Sequence, residues 1–248
     1  MLATFCLRLA CGLAAALLFL SPAQVNPRFY RVQFLTILGL IAVAVVDVRH
    51  TADIGLWLVL IGSMSLAFAG SFVWWLEGAP AGRTVIGLTV LTLLIGLGVM
   101  AFAAHPGRVG IWWLMNDLSA AAVLGAATSA MLMGHSYLTA PAMSITPLRR
   151  LLVALFIALG ARILVAAMGL GFWTASHSLL NLKDITVLWL PVRWGVGFVV
   201  PLVLTWMAWE TAKIRSTQSA TGILYVVVIC CFLGELTSQL LQQSGYVL

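Results

Sequence analysis

The sequence predicts an all-α, polytopic integral membrane bundle of about eight transmembrane helices with no soluble domain. Three observations carry this expectation. The 248 residues are 62% hydrophobic and only 8% charged, whereas soluble domains are about 25% charged. The apolar residues fall into eight runs, each close to the roughly 20 residues that cross a bilayer. The connections between runs are short and hold the Pro, Gly, Ser and charged residues that the runs lack. A water-soluble fold of this size has too little interior to hide so much apolar surface.

The expected helices form one transmembrane domain, 1–248, and lie at 2–21, 30–47, 54–76, 84–104, 113–138, 148–172, 184–209 and 218–243. The first run, with Arg8 and small residues near Ala23, has the look of a signal peptide, and we expect it to be retained as the first spanning helix. SPAQVNPR separates it from the second run, and RHTAD ends the second. The third finishes at Trp74 and Trp75, and EGAPAGR follows. The fourth ends in HPGR. The fifth opens with Trp112 and Trp113 and is rich in small residues, Ser119 to Ala122 and Gly125 to Ala130. Small residues let helix backbones approach closely, so this helix is expected at the centre of the bundle. Residues 105–117 also have the composition of a short interfacial helix. TAPAMSITP leads into the sixth run and TASHSLLNLKD into the seventh, which closes with Trp206 and Trp209. These tryptophans are expected as anchors at the membrane–water interface. KIRSTQ precedes the eighth.

The net charge of +6 does not indicate nucleic acid, because the basic residues are scattered through short loops rather than gathered on one face. They are expected to set orientation. Loops after helices 1, 3, 5 and 7 hold seven: Arg28, Arg31, Arg83, Arg149, Arg150, Lys213 and Arg215. Loops after helices 2, 4 and 6 hold three: Arg49, Arg108 and Lys183. The first set is therefore expected in the cytoplasm of a bacterial inner membrane, with both termini on the other side. Cys6, Cys11, Cys230 and Cys231 lie in apolar runs without a CxxC pair, and read as small buried hydrophobes.

The stretch 189–201, WLPVRWGVGFVVP, places Arg193 deep in a membrane segment between Pro191 and Pro201, with Gly195 and Gly197 beside it. An uncompensated guanidinium there costs from about 3 to over 10 kcal/mol. At a rise of about 1.5 Å per residue, Arg193 lies about 13–14 Å from its helix start. Arg162 lies about 15 Å, and Glu235 about 12 Å, from the ends of theirs. All three are expected at one level, Glu235 pairing with one or both arginines. One carboxylate does not neutralise two guanidiniums, and the residual charge suits an anionic or carbonyl-bearing ligand, a proton pathway or a partner's carboxylate. The plain alternative is an ion-pair cluster that pins three helices. The prolines and glycines are expected to kink and thin the seventh helix.

His135, with Tyr137 two residues on, forms a second candidate for a quinone head or a proton relay. A bis-histidine haem is disfavoured, since His50, His105 and His177 map to loops at the opposite end. Those three histidines lack ligand spacing, and no metal site is expected. Asp47, Asp53, Asp117 and Asp184 are expected as solvated helix ends. HExxH, GxSxG, a Walker loop, an aspartate-rich prenyltransferase motif and CxxCH are all missing, so hydrolase, nucleotide-driven and c-haem readings have no motif to stand on.

The functional expectation is a membrane subunit of a larger electron-transfer complex. It would touch lipid and quinone, carry no redox cofactor of its own, and adjoin other membrane subunits. In architecture alone this is similar to the eight-helix quinol-interacting anchors of molybdenum-type oxidoreductases, without a shared residue motif. The alternatives are a purely structural or assembly subunit, and a small transporter with Arg162, Arg193 and Glu235 as substrate site. Arg193→Leu is expected to abolish function where a loop change such as Arg49→Leu is tolerated.

Overall fold

A computed structural model describes residues 1–76, 81–140, 143–176 and 184–243. Its helices are α1 (Leu2–Leu18), α2 (Pro27–Val48), α3 (Ile54–Val73), α4 (Gly82–Ala104), α5 (Arg108–Thr139), α6 (Thr146–Ser176), α7 (Asp184–Trp194), α8 (Val200–Lys213) and α9 (Thr217–Gln243). A π-turn, Gly195–Val199, joins α7 to α8 within one membrane crossing. Among the described residues, seven helical segments are long and apolar enough to span a bilayer, and the shorter apolar α1 adds an eighth apolar segment. The chain is an all-helical polytopic membrane bundle.

Helix starts follow local chemistry. Asn26 caps α2 by accepting the Arg28 N–H, with Pro27 in the first turn. Asp53 caps α3 by accepting the Leu56 N–H at 3.0 Å. The expected boundary at 113 is corrected: α5 begins at Arg108 and runs unbroken, so residues 105–117 do not form a separate interfacial helix. Gly107, with φ of 76°, makes the turn into it.

Helices α1 to α4 close one ring, α1 against α2, α2 against α3, α3 against α4 and α4 against α1. Helices α5, α6, α8 and α9 close a second ring in the same cyclic way. The rings meet where α1 crosses α5. A Cβ on Gly12 would lie 1.8 Å from the Ala121 carbonyl oxygen, and one on Gly125 would lie 1.9 Å from Gly12 carbonyl carbon. Only glycine fits at this crossing, which is the close approach that small residues permit. Helix α5 is central, as its composition predicts, and 72% of its spanning window is buried.

The centrality of α1 is not evident from its sequence. Seventeen residues span about 25 Å, short of a hydrocarbon core of about 30 Å. Its neighbours shield it from lipid: Leu7, Ala10, Leu13 and Ala14 are fully buried, and its ends, Leu2 and Leu18, are exposed. Outer helices present the reverse pattern to lipid. On α2, Phe34, Ile37, Ile41 and Ala44 face inward while Val32, Leu35, Val43 and Val46 are exposed. With no water to drive helices together, such exposed apolar faces are stable only in a bilayer.

The tryptophans divide. Trp75 and Trp206 are exposed, as interface anchors are, and Arg31 lies 4.5 Å over the Trp75 ring. Trp74 is corrected: it is buried and stacks on Tyr30 at 3.9 Å between centroids, locking α3 to α2. All four cysteines are buried and free.

Candidate functional site: a buried arginine–carboxylate cluster

Five helices send charged or amide side chains to one level of the bundle. Helix α6 supplies Arg162, which is wholly buried and hydrogen-bonded through all three nitrogens. Nε donates to Glu235 Oε1 at 2.9 Å and Nη2 to Oε2 at 3.0 Å, a two-pronged pair. Nη1 donates to Asn116 Oδ1 at 2.6 Å and Ser119 Oγ at 3.3 Å, and Nη2 also reaches Ser238 Oγ at 3.2 Å. Arg193, on the last turn of α7, donates through Nη1 to Glu235 Oε1 at 3.0 Å. Its guanidinium carbon lies 4.1 Å over the Phe198 ring. The structure thus brings Arg162, Arg193 and Glu235 into direct contact, with Glu235 serving both arginines.

The sequence reading missed two charged members, Arg8 and Asp117, and the polar groups of Asn116, Ser119, Ser238 and Gln239 around them. Arg8, from α1, donates through Nε and Nη2 to Asp117 Oδ1, and its Nη1 stands 4.0 Å from Glu235 Oε2. Asp117 is corrected: it is 4% exposed and paired, and is not a solvated helix end. Asp53 does occupy a helix end as its cap, and Asp47 accepts the Ala3 N–H at 2.9 Å. Arg8, Arg162 and Arg193 face Asp117 and Glu235, three positive groups against two negative, which leaves one positive charge in the ionised cluster.

Local structure explains the placement of Arg193. Pro201 has no N–H to offer the Gly197 carbonyl, so the α-ladder breaks there. The chain answers with a wider turn, in which the Val200 N–H bonds to the Gly195 carbonyl five residues back. That turn sits on α9 at a second glycine crossing: a Cβ on Gly234 would lie 2.5 Å from Gly197 Cα and 3.2 Å from Arg193 Nη1. The two glycines hold the arginine down on Glu235, the residue next to Gly234.

Several donors in the cluster are buried without a hydrogen-bond partner. They are Arg8 Nη1, Arg193 Nε and Nη2, and Asn116 Nδ2. Gln239, on α9, has neither amide atom paired and is 4% exposed. Such groups cost about 1–3 kcal/mol each, more when charged. Arg8, Asp117 and Gln239 line a cavity of about 280 Å³ at the end of the bundle that carries Met1. Its walls include Met100 and Ala101 of α4, and His105 stacked on Trp113 at 4.5 Å.

His135 and Tyr137 lie elsewhere and apart from each other. Tyr137 is buried, and its hydroxyl donates to the Ser144 carbonyl at 2.5 Å, tying down the turn after α5. His135 is exposed on the opposite face. It lines a hollow of about 190 Å³ with Arg28, Gln33 and Ser136, at the end away from Met1. Among the described residues, no group of three His, Cys, Asp or Glu is placed to hold a metal ion. His177, Lys183 and the side chain of Asp184 lie outside the described residues.

The fold and this cluster define a polytopic helical membrane protein with a branched cluster of buried ion pairs joining its two halves. Comparison of the chain with protein-family models, with curated proteins and with solved structures returns no match.

Proposed function

We propose that this chain is a membrane-embedded binding subunit, and that the cavity over Arg8, Asp117 and Gln239 takes the headgroup of a carbonyl-bearing or anionic amphiphile. The observation that carries the proposal is a pair of buried, unsatisfied donor groups, Arg8 Nη1 and the Gln239 amide, on side chains lining one cavity. A carbonyl oxygen accepts from both, and an excess positive charge behind them favours electron-rich ligands. A volume of about 280 Å³ suits a single ring or headgroup, with its tail left in lipid.

A quinone in a larger electron-transfer complex is the form of this reading that fits the short loops and the lack of catalytic motifs. The chain then contributes binding, orientation and proton-stabilising charge, while partner subunits bring the redox centres. The excess of Lys and Arg at the Arg28 end orients that end to the cytoplasm of a bacterial inner membrane, and puts the cavity on the far side with both termini.

Purification from native membranes in mild detergent, with mass spectrometry of co-purifying proteins and extraction of lipophilic molecules, tests this. Quinone retained by wild type and lost in Gln239→Leu supports the headgroup site. A chain that arrives alone and retains no carbonyl-bearing lipid overturns it.

One observation favours a transporter instead. The π-turn between Pro191 and Pro201 directly follows Arg193, and broken helices beside a charged site are how transporters expose it. Uptake of an organic anion by reconstituted vesicles containing only this chain is the outcome that selects this reading.

A further inference from the structure

A second site lies at the other end of the bundle and is independent of the reading above. A groove of about 330 Å³ runs down one face of α6, past Arg149, Arg150, Val153, Ala154 and Ile157. The spacing of three and four residues places these side chains in a line, from the helix start to about 17 Å along it. Phe19, at the end of α1, and Trp209 of α8 form its other walls. Arg149 and Arg150 border it at the start of the helix, the lining is almost wholly apolar, and Val153 and Ile157 are exposed.

Among the described residues, no carboxylate forms an ion pair with Arg149 or Arg150. Arg150 is exposed, and Arg149 is half-buried with its guanidinium 5.9 Å over the Trp209 ring. Arg149 Nε is buried without a hydrogen-bond partner. The nearby carboxylate of Glu210 is engaged by Lys213 at 2.7 Å. The same end of the bundle carries Arg28 and Arg31 in the first turns of α2, Arg83 in the first turn of α4, Lys213 at the end of α8 and Arg215 in the connection to α9.

We propose that this groove binds an anionic phospholipid from the adjacent leaflet. The phosphate sits between Arg149 and Arg150, and one acyl chain lies along Val153, Ala154 and Ile157 between Phe19 and Trp209. A basic mouth at interface depth continuing into an apolar slot matches the shape and polarity of a charged lipid. A zwitterionic lipid offers the same chain but cancels the charge that two arginines select.

The test is native mass spectrometry of the full chain in detergent with equal phosphatidylglycerol and phosphatidylcholine of matched chains. Wild type is expected to retain phosphatidylglycerol selectively. Arg149→Gln/Arg150→Gln is expected to cut that retention by about twenty-five-fold, since each basic residue near an anionic surface contributes about a factor of five. Arg83→Gln/Arg215→Gln removes the same charge from exposed positions at the same end and is expected to leave retention unchanged. Ala154→Phe fills the slot without altering charge and is expected to lose the lipid too. Inorganic phosphate is expected not to compete. Equal retention of both lipids by wild type overturns the proposal. So does retention that survives Arg149→Gln/Arg150→Gln, or displacement of the lipid by inorganic phosphate alone.

Discussion

Arg162 and Glu235 meet as a planar fork inside the bundle, Nε to Oε1 at 2.9 Å and Nη2 to Oε2 at 3.0 Å, on side chains no more than 2% exposed. The Glu235 oxygen that receives Arg162 Nε also receives Arg193 Nη1. One carboxylate therefore holds α6, α7 and α9 together, and its removal leaves two guanidiniums without their counter-charge. Glu235→Gln is expected to cost about 3–5 kcal/mol, as breaking a buried pair does. Adding Arg193→Met restores the cluster's net charge and is expected to recover part of the loss. Thermal unfolding of the four members of this double-mutant cycle in detergent measures the coupling; strictly additive losses would show that the two residues do not act on each other.

The second pair separates structure from function. Asp117→Asn alone leaves Arg8 buried without its carboxylate and is expected to lower stability by about 3–5 kcal/mol. Asp117→Asn with Arg8→Met removes both charges, and such replacements are often neutral or stabilising. If the cavity binds a carbonyl-bearing headgroup, the double variant folds normally and yet no longer retains the ligand in extraction assays. Normal folding with undiminished retention would make Arg8 a packing residue only.

Helix ends decide how much of the cluster is legible in the sequence. The alignment of Arg193 with Glu235 follows from helix rise, because the expected ends at 184 and 243 are the observed ones, whereas α6 runs on to Ser176 and Arg162 lies about 21 Å from that end, so its level is fixed by its contact with Glu235. Asp117 was not legible because a start at 113 puts it four residues in, about 6 Å deep, where water reaches it. The observed start at Arg108 puts it nine residues in, about 13–14 Å deep and level with Arg193. Arg8 carried the same signal, about 9 Å from the start of α1. It was masked by the likeness of that segment to a signal peptide, whose positive charge needs no partner. Trp74 and Trp75 show a different limit: adjacent residues on a helix face different ways, and no local feature says that Trp74 is the one to stack on Tyr30. His135 and Tyr137 diverge for the same reason, since residues two apart do not share a helix face.

The α1–α5 crossing makes its own prediction. Gly125→Leu drives a side chain into the α1 backbone, where even a Cβ overlaps Gly12 at 1.9 Å, and rigid main chain cannot yield as a flexible side chain can. The expected result is loss of the folded bundle, seen as aggregation on gel filtration. Gly39→Ala is the matched control, because a Cβ there meets nothing within 4 Å. It is expected to leave stability unchanged or raise it by about 0.5–1 kcal/mol through helix propensity. An unaffected Gly125→Leu would mean that α1 does not pack against α5.

Pro201 tests whether the π-turn serves the cluster. Pro201→Ala restores an N–H that bonds the Gly197 carbonyl and draws residues 195–199 toward regular α-helix. Converting a π-turn to α-geometry winds the same residues more tightly, which rotates everything before it, Arg193 included, by about 100° relative to α8. The guanidinium then leaves Glu235, or the helix keeps its π-turn at the expense of the new bond. In the first case amide exchange slows across 197–203, the Glu235→Gln penalty shrinks in this background, and ligand retention falls. In the second the amides exchange as in wild type and the Arg193–Glu235 coupling is unchanged. The glycine crossing of Gly197 with Gly234 leaves no room for a rotated side chain at that face. The first outcome therefore requires α9 to shift as well, and a melting temperature lowered by Pro201→Ala, despite the better helix former, is the expected sign of it.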